Sequence, residues 1–125
     1  MSEHIFLTGA TGAIGLPLAA RLLSRPSLKR LTALVRVPSD AATLPAILNR
    51  INPAADVTKL KVIIGDVTLT GLSLTQQIGG PPITTVVHGA AFTKFRDTRS
   101  QWQEVNVTGT REVLRWRRQT ARTPT

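Results

Sequence analysis

The segment Thr8-Gly9-Ala10-Thr11-Gly12-Ala13-Ile14-Gly15 decides the fold, because its three glycines stand between a short apolar run and an amphipathic one. The run before it, from His4 to Thr8, is apolar on both faces and predicts a buried strand. The run after it, from Gly15 to Arg25, has apolar residues at helical spacing and Pro17 in the first turn, where a missing N–H is harmless. A strand, a glycine loop and a helix in this order are typical of a turn that binds the phosphates of a dinucleotide.

Strands and helices are predicted to alternate along the rest of the chain. Ser39 or Asp40 is expected to cap a helix that runs to about Asn49, since Asn52-Pro53 would break it. Because helices that join parallel strands cover both faces of a sheet, the pattern predicts a three-layer α/β sandwich with about four parallel strands. The other predicted elements are strands at Leu31–Val35, Leu60–Ile64 and Thr84–His88, and a helix from about Ser100 that contains Gly109.

The composition excludes several functional classes. The 125 residues include no cysteine, which rules out disulfides, thiolate nucleophiles and cysteine-ligated metals. His4 and His88 are too few to form a metal cluster, so no metal site is expected. No apolar run is long enough to span a bilayer and no secretory signal is visible, so we expect a cytoplasmic protein that does not bind membranes.

A formal net charge of +9 raises the alternative of a nucleic-acid binder. The distribution of charge weakens this alternative, because a basic groove with interleaved aromatic residues is not visible. A cationic surface alone supplies only nonspecific, salt-sensitive affinity. The arginines concentrate near the end of the chain, at Arg111, Arg115, Arg117, Arg118 and Arg122.

Three further motifs accompany the TGxxGxxG loop at 8–15, namely Gly65-Asp66-Val67, His88-Gly89-Ala90-Ala91 and Asn106-Val107-Thr108-Gly109-Thr110. Together the four motifs resemble the extended branch of the short-chain dehydrogenase/reductase superfamily, and their order and spacing match that branch over about residues 4–114. The turn at 65–74 and the segment Ala91–Phe95 are most similar to the thioester reductase and fatty acyl-CoA reductase group, and the alternative is an epimerase or dehydratase, since those enzymes share the same four motifs. The resemblance implies an NAD(P)-binding Rossmann-like domain at 1–114, truncated to the family's N-terminal half, and a basic tail at 115–125 that departs from the family.

The resemblance also implies which residues contact the cofactor. Arg36 follows the second strand, where an NAD enzyme would carry an acid, and an arginine there favours the 2′-phosphate of NADP over NAD. The alternative for Arg36 is a solvated arginine at the end of a strand. Asp66 is either an adenine contact or the cap of a turn. His88 is expected to be a hydrogen-bonded structural residue. The implied cofactor-binding residues are Thr8, Gly9, Thr11, Gly12, Ala13, Ile14, Gly15, Arg36, Asp66, Val67, Gly89, Ala90 and Ala91.

The residues that perform the family's chemistry are missing. Enzymes of this branch use a Tyr-x-x-x-Lys pair to protonate the carbonyl, and this sequence contains no tyrosine. We therefore expect the NADP-binding portion of a reductase, inactive alone, with no catalytic residue. The alternative is a stand-alone dinucleotide-binding or cofactor-sensing module. The fourth strand is expected at the sheet edge, where it would self-associate or pair with a complementing C-terminal half.

Overall fold

A computed structural model describes residues 3–74, 78–89 and 103–121 of the chain. The strands and helices are β1 Glu3–Thr8, α1 Gly15–Leu22, β2 Leu28–Val35, α2 Pro38–Ile51, β3 Leu60–Ile64, β4 Thr85–His88 and α3 Gly109–Ala121. Short 3-10 helices cover Val57–Lys59 and Thr70–Ser73, and a π-helical segment, Gln103–Thr108, runs into α3. No helix within these ranges is long and apolar enough to cross a membrane.

The four strands form one parallel sheet in the order β3-β2-β1-β4. Thr8, the last residue of β1, is in register with Leu34 on β2 and with His88 on β4. The carboxyl ends of the strands therefore lie along one edge of the sheet, where ligands of open α/β sheets bind. This is the predicted Rossmann-like class. Among the described strands β4 lies at an edge, and its expected pairing with another segment stays a prediction.

Side chains of successive strand residues alternate between two apolar clusters, one on each face of the sheet. The first cluster joins residues such as Leu7 and Leu31 to α1 and α2. The second joins Phe6 and its neighbours to α3, where the rings of Phe6 and Trp116 lie 4.3 Å apart between centroids. Both faces are thus covered by helices, which confirms the predicted three-layer sandwich.

Two predicted boundaries around α1 are wrong by about three residues. β2 begins at Leu28 and not at Leu31, because Leu28 is in register with Glu3 on β1. α1 ends at Leu22 and not at Arg25. The N–H groups that follow it bond three residues back, Ser24 to Arg21 and Arg25 to Leu22, which tightens the chain into a turn.

The predicted cap of α2 is also wrong. The capping position is Val37, whose side chain makes no capping hydrogen bond, and Pro38 is the first helical residue. Proline favours this position because its fixed φ is already helical and its missing N–H would have no partner there. Ser39 and Asp40 consequently lie inside the first turn, where the Asp40 carboxylate still interacts favourably with the helix dipole.

The basic segment after residue 114 is helical and contributes to the core. α3 continues to Ala121, and Trp116 is buried against Phe6. The Arg117 Nη2 group donates to the carbonyl oxygen of Ile83 at 2.8 Å, which ties α3 to the segment before β4. The division of the domain at residue 114 stays a prediction, and α3 passes through it.

A buried histidine joins β1, β2 and the loop before β4. The His4 Nδ1–H donates to the Pro81 carbonyl oxygen at 2.6 Å, because that oxygen can only accept, and Nε2 lies 2.7 Å from the Thr32 hydroxyl. Burial lowers the pKa of His4, the bond to Pro81 opposes this shift, and the nearby charges of Arg30 and Lys61 lower the pKa further. The folded protein therefore holds His4 neutral.

We expect His4 to make stability depend on pH. Its folded pKa lies below the unfolded value of about 6.5, so the unfolded chain binds the proton first as pH falls. The contribution is complete above about pH 6.5 and is lost as pH falls toward the folded pKa, by at most about 1.4 kcal/mol per pH unit. His4→Asn keeps a donor for Pro81 but cannot titrate. Denaturant unfolding between about pH 8 and 5 should show the stability of the wild type approaching that of His4→Asn, whereas parallel curves would contradict the assignment.

Candidate cofactor-binding site

The loop between β1 and α1 reverses the chain over a very short distance. Gly9 has a φ of +80°, a left-handed conformation that strongly favours glycine, and its carbonyl oxygen accepts the N–H of Gly12 at 3.1 Å. The N–H of Leu16 then bonds to the Gly12 carbonyl and starts the helix. The loop is therefore a tight turn that places the first turn of α1 directly beyond the end of β1.

Gly15 and Gly12 serve different purposes. A Cβ atom on Gly15 would lie 1.8 Å from the Gly9 carbonyl oxygen, an impossible contact with the backbone. A Cβ on Gly12 would meet only that same oxygen, at an ordinary 3.4 Å. The fold thus requires glycine at position 15, whereas at position 12 the protein leaves room for a side chain. The predicted cofactor contact of Gly12 stays a prediction.

Backbone donors at the start of α1 are available to a ligand. Within the described parts of the chain, no backbone carbonyl accepts the N–H of Ala13, Ile14 or Gly15. Thr11, Gly12, Ala13 and Ile14 are all exposed, and the Ile14 side chain is 83% exposed. Unpaired N–H groups at a helix N-terminus, together with the positive end of its dipole, bind phosphate groups.

The end of β4 is hydrogen-bonded to Thr8, the residue at which the loop begins. The Thr8 hydroxyl lies 2.6 Å from Nδ1 of His88, and the Gly89 N–H donates to the Thr8 carbonyl at 2.9 Å. Burial lowers the pKa of His88, so this histidine stays neutral. The hydrogen bond agrees with the sequence prediction for His88, whose Nε2 atom is buried and makes no hydrogen bond with the described residues. The Thr8 side chain is buried, so its predicted contact with a cofactor stays a prediction, as does that of Gly89.

Arg36 follows directly after β2, at the same edge of the sheet as the glycine loop. Its side chain is exposed, and it forms no ion pair or hydrogen bond with the described residues. The neighbouring Val37 is also partly exposed, at 41%. An exposed guanidinium beside apolar surface at this edge can contact a phosphate group of a ligand held by the loop.

Asp66 caps the turn that follows β3. Its Oδ1 atom accepts the Thr68 N–H at 2.9 Å and lies 2.6 Å from the Thr68 hydroxyl. This structure supports the capping alternative for Asp66, while the adenine contact stays a prediction. The Val67 side chain is buried in the second apolar cluster and packs against Gly109, so its predicted contact with the cofactor is likewise untested.

One feature of this turn was not predicted from the sequence. Leu72 and Ser73 have φ values of 60° and 48°, which are unfavourable for residues other than glycine and asparagine. The buried Leu72 accepts the Asp66 N–H on its carbonyl oxygen at 2.8 Å. The strained turn therefore holds Asp66 at the edge of the sheet. In the sequence of this turn, the one residue type that indicates a left-handed conformation is the preceding Gly71, which also has a positive φ.

The described residues thus place the glycine loop, Arg36, Asp66 and Gly89 at the carboxyl ends of four adjacent strands. Ala90 and Ala91, the remaining predicted contacts, lie outside the described residues.

The fold and the loop define a dinucleotide-binding α/β domain. Residues 7–124 match the model of an NAD-binding family described as male sterility protein. The chain belongs to this family, which confirms the resemblance to the extended short-chain and thioester reductases.

Known proteins similar to this chain include parts of large biosynthetic enzymes. The terminal R domain from the myxalamid PKS-NRPS pathway superposes with a TM-score of 0.76 and 26% identity, covering 95% of this chain and 32% of that one. A nonribosomal peptide synthetase-like enzyme of Aspergillus fumigatus, fsqF, is 30% identical over 125 residues, which are 90% of this chain and 8% of fsqF. The synthetase cpsA of Aspergillus campestris is 28% identical over 122 residues, 90% of this chain and 12% of cpsA. The chain thus spans a small part of these relatives.

The two glycines give a matched pair of variants. Gly12→Ala should unfold at nearly the same denaturant concentration as the wild type, because its Cβ meets no atom closer than 3.4 Å. It should nonetheless lose most of its affinity for a nicotinamide dinucleotide, since the methyl group occupies the approach to the loop. Gly15→Ala should destabilise the fold itself by several kcal/mol, of the order seen for severe overpacking. Unimpaired dinucleotide binding by a folded Gly12→Ala protein in a fluorescence titration would refute this division of roles.

Proposed function

We propose that the chain binds NADP(H) at the glycine loop and is the cofactor-binding portion of a reductase of acyl thioesters or carbonyl compounds. The observation that carries this proposal is the set of unpaired N–H groups at the start of α1, with the exposed Arg36 at the adjacent strand end. Family membership and the similarity to a reductase domain support it.

The residues of the loop fit a dinucleotide. The N–H groups of Ala13, Ile14 and Gly15 would hold the pyrophosphate, and the absence of a Cβ on Gly12 would let it come close to the backbone. Thr8 and His88 would keep the base of the loop rigid through their hydrogen bond. The bound cofactor would supply a hydride to an electrophilic carbon of the substrate.

Arg36 would determine which dinucleotide is preferred. A guanidinium donates two parallel hydrogen bonds to a phosphate and carries a positive charge, so it favours the 2′-phosphate that distinguishes NADP from NAD. The ribose hydroxyls of NAD would leave this charge without a partner. Because Arg36 is exposed and forms no ion pair or hydrogen bond with the described residues, it would give up neither kind of interaction with them on binding.

Reduction also needs a proton donor, which this chain does not provide by the usual means. The sequence has no tyrosine, and the two histidines described above are neutral and engaged with threonine side chains. We therefore propose that the chain alone binds cofactor without reducing substrate, and that a segment with a proton donor completes the site.

Arg36→Ala should remove most of the preference for NADPH over NADH. A hydrogen bond to a charged group contributes about 1.5–3 kcal/mol, so the ratio of the two affinities should fall by roughly tenfold to a hundredfold. Arg50→Ala, which removes one exposed charge at the end of α2, is the matched control and should leave the ratio unchanged. Equal affinities of the wild type for both dinucleotides in a fluorescence titration would refute the NADP assignment.

The purified chain should not oxidise NADPH in the presence of aldehydes, ketones or acyl thioesters. The measurement is the absorbance of the reduced nicotinamide over time, with a full-length reductase as the positive control. Protein-dependent oxidation that disappears in Gly12→Val would show that the chain supplies its own proton donor, and the proposed inactivity would then be wrong.

A further inference from the structure

The helix α3 has two clearly different faces. Gly109, Glu112, Val113 and Trp116 are buried, at spacings of three and four residues, and they form the side that packs toward the sheet. Among the described residues, those on the opposite side of the helix are exposed. This exposed side belongs neither to the cofactor site nor to the core.

The exposed side combines positive charge with apolar surface. We call it the arginine face; Leu114 on it is 62% exposed and Val107 is 53% exposed. Its three arginines follow one another at i, i+4 and i+7, which places them in one row about 10 Å long. The arginine face consists of Arg111, Leu114, Arg115 and Arg118 of α3 and of Val107 in the π-helical segment that runs into α3.

Two of the three arginines on this face have no acidic partner among the described residues. The Nη1 atom of Arg115 lies 3.4 Å from Oε1 of Glu112, a residue at the edge of the buried side. Arg111 and Arg118 form no ion pair or hydrogen bond with any described residue. Exposed guanidinium groups interspersed with aliphatic side chains are favourable positions for a partner that offers carboxylates and apolar contacts together.

We propose that the arginine face of α3 is a docking surface for an acidic amphipathic helix of a partner protein. Acidic residues at i, i+4 and i+7 on such a helix would lie opposite Arg111, Arg115 and Arg118. Aliphatic residues between them would cover Leu114 and Val107. This role does not depend on the proposed cofactor function, because the face lies on the side of α3 that points away from the sheet.

Charge complementarity selects this occupant over the others. A second copy of the chain would place arginines against arginines, and the net charge of +9 would add to the repulsion. A nucleic acid would pair with the charges but would leave Leu114 and Val107 against water or phosphate, and the face carries no aromatic residue for base stacking. A membrane would require a wider apolar face than one leucine and one valine provide.

The test uses the full chain and a synthetic helical peptide with glutamates at i, i+4 and i+7 and leucines between them. A peptide of the same composition in scrambled order is the first control. The double variant Arg111→Gln/Arg118→Gln is compared with Arg21→Gln/Arg50→Gln, which removes the same charge from exposed positions at the ends of α1 and α2. Binding is measured by fluorescence anisotropy, in parallel with phosphatidylserine-containing vesicles and duplex DNA.

The proposal predicts that the ordered peptide binds at least about tenfold more tightly than the scrambled one, with affinity that falls as salt rises. The arginine-face variant should lose this difference, and the control variant should keep it. Equal binding of both peptides, no binding of either, or an equal loss in both variants would overturn the proposal. It would also be overturned if vesicles or DNA bound more tightly than the ordered peptide and depended on the same two arginines.

Discussion

The structure depends on how closely the start of α1 approaches the end of β1. That approach is set by the contact between Gly15 and the Gly9 carbonyl, which leaves no space for a Cβ atom. Because α1 begins there, the N–H groups of residues 13–15 lie at the carboxyl edge of the sheet, and no backbone carbonyl of the described residues accepts them. Arg36 and Asp66 lie along the same edge only because β2 and β3 run parallel to β1. The steric constraint in the glycine loop thus places the helix and its N–H donors, and the parallel pairing of the strands brings the charged residues to the same edge.

Histidine and threonine side chains join β1 to both neighbouring strands, in addition to the backbone pairing of the sheet. The His4 side chain bonds to Thr32 on β2, and the Thr8 side chain bonds to His88 on β4. Phe6 lies between them on the same face and packs against Trp116 of α3. The polar pairs add side-chain contacts between the strands, while the aromatic pair packs the helix against the sheet. Both histidines are neutral because burial lowers the pKa of each.

Much of the fold could be predicted from the sequence, because the patterns that indicate it each lie within one short segment of the chain. The strand, glycine loop and helix follow from the spacing of Gly9, Gly12 and Gly15, and the third strand was predicted with its observed bounds. The buried role of Trp116 could not be predicted, because the arginines around it conceal the apolar face of α3. The left-handed backbone conformation of Leu72 was also not predicted. It results from tertiary packing and from the hydrogen bond to Asp66, which leave no pattern in the sequence. The same limit applies to the hydrogen bonds of His4, whose partners are distant along the chain.

The proposed function depends on binding of NADP(H) at the glycine loop with its 2′-phosphate at Arg36. The most direct measurement is a titration of the 15N-labelled chain with NADP+ and then with NAD+, followed by NMR. NADP+ should shift the amide signals of Gly12, Ala13, Ile14 and Gly15 in a saturable way and should also shift the Nε–H signal of Arg36, whereas NAD+ should move the loop signals alone. Saturable shifts confined to other parts of the chain, with the loop amide signals unmoved, would contradict binding at the glycine loop.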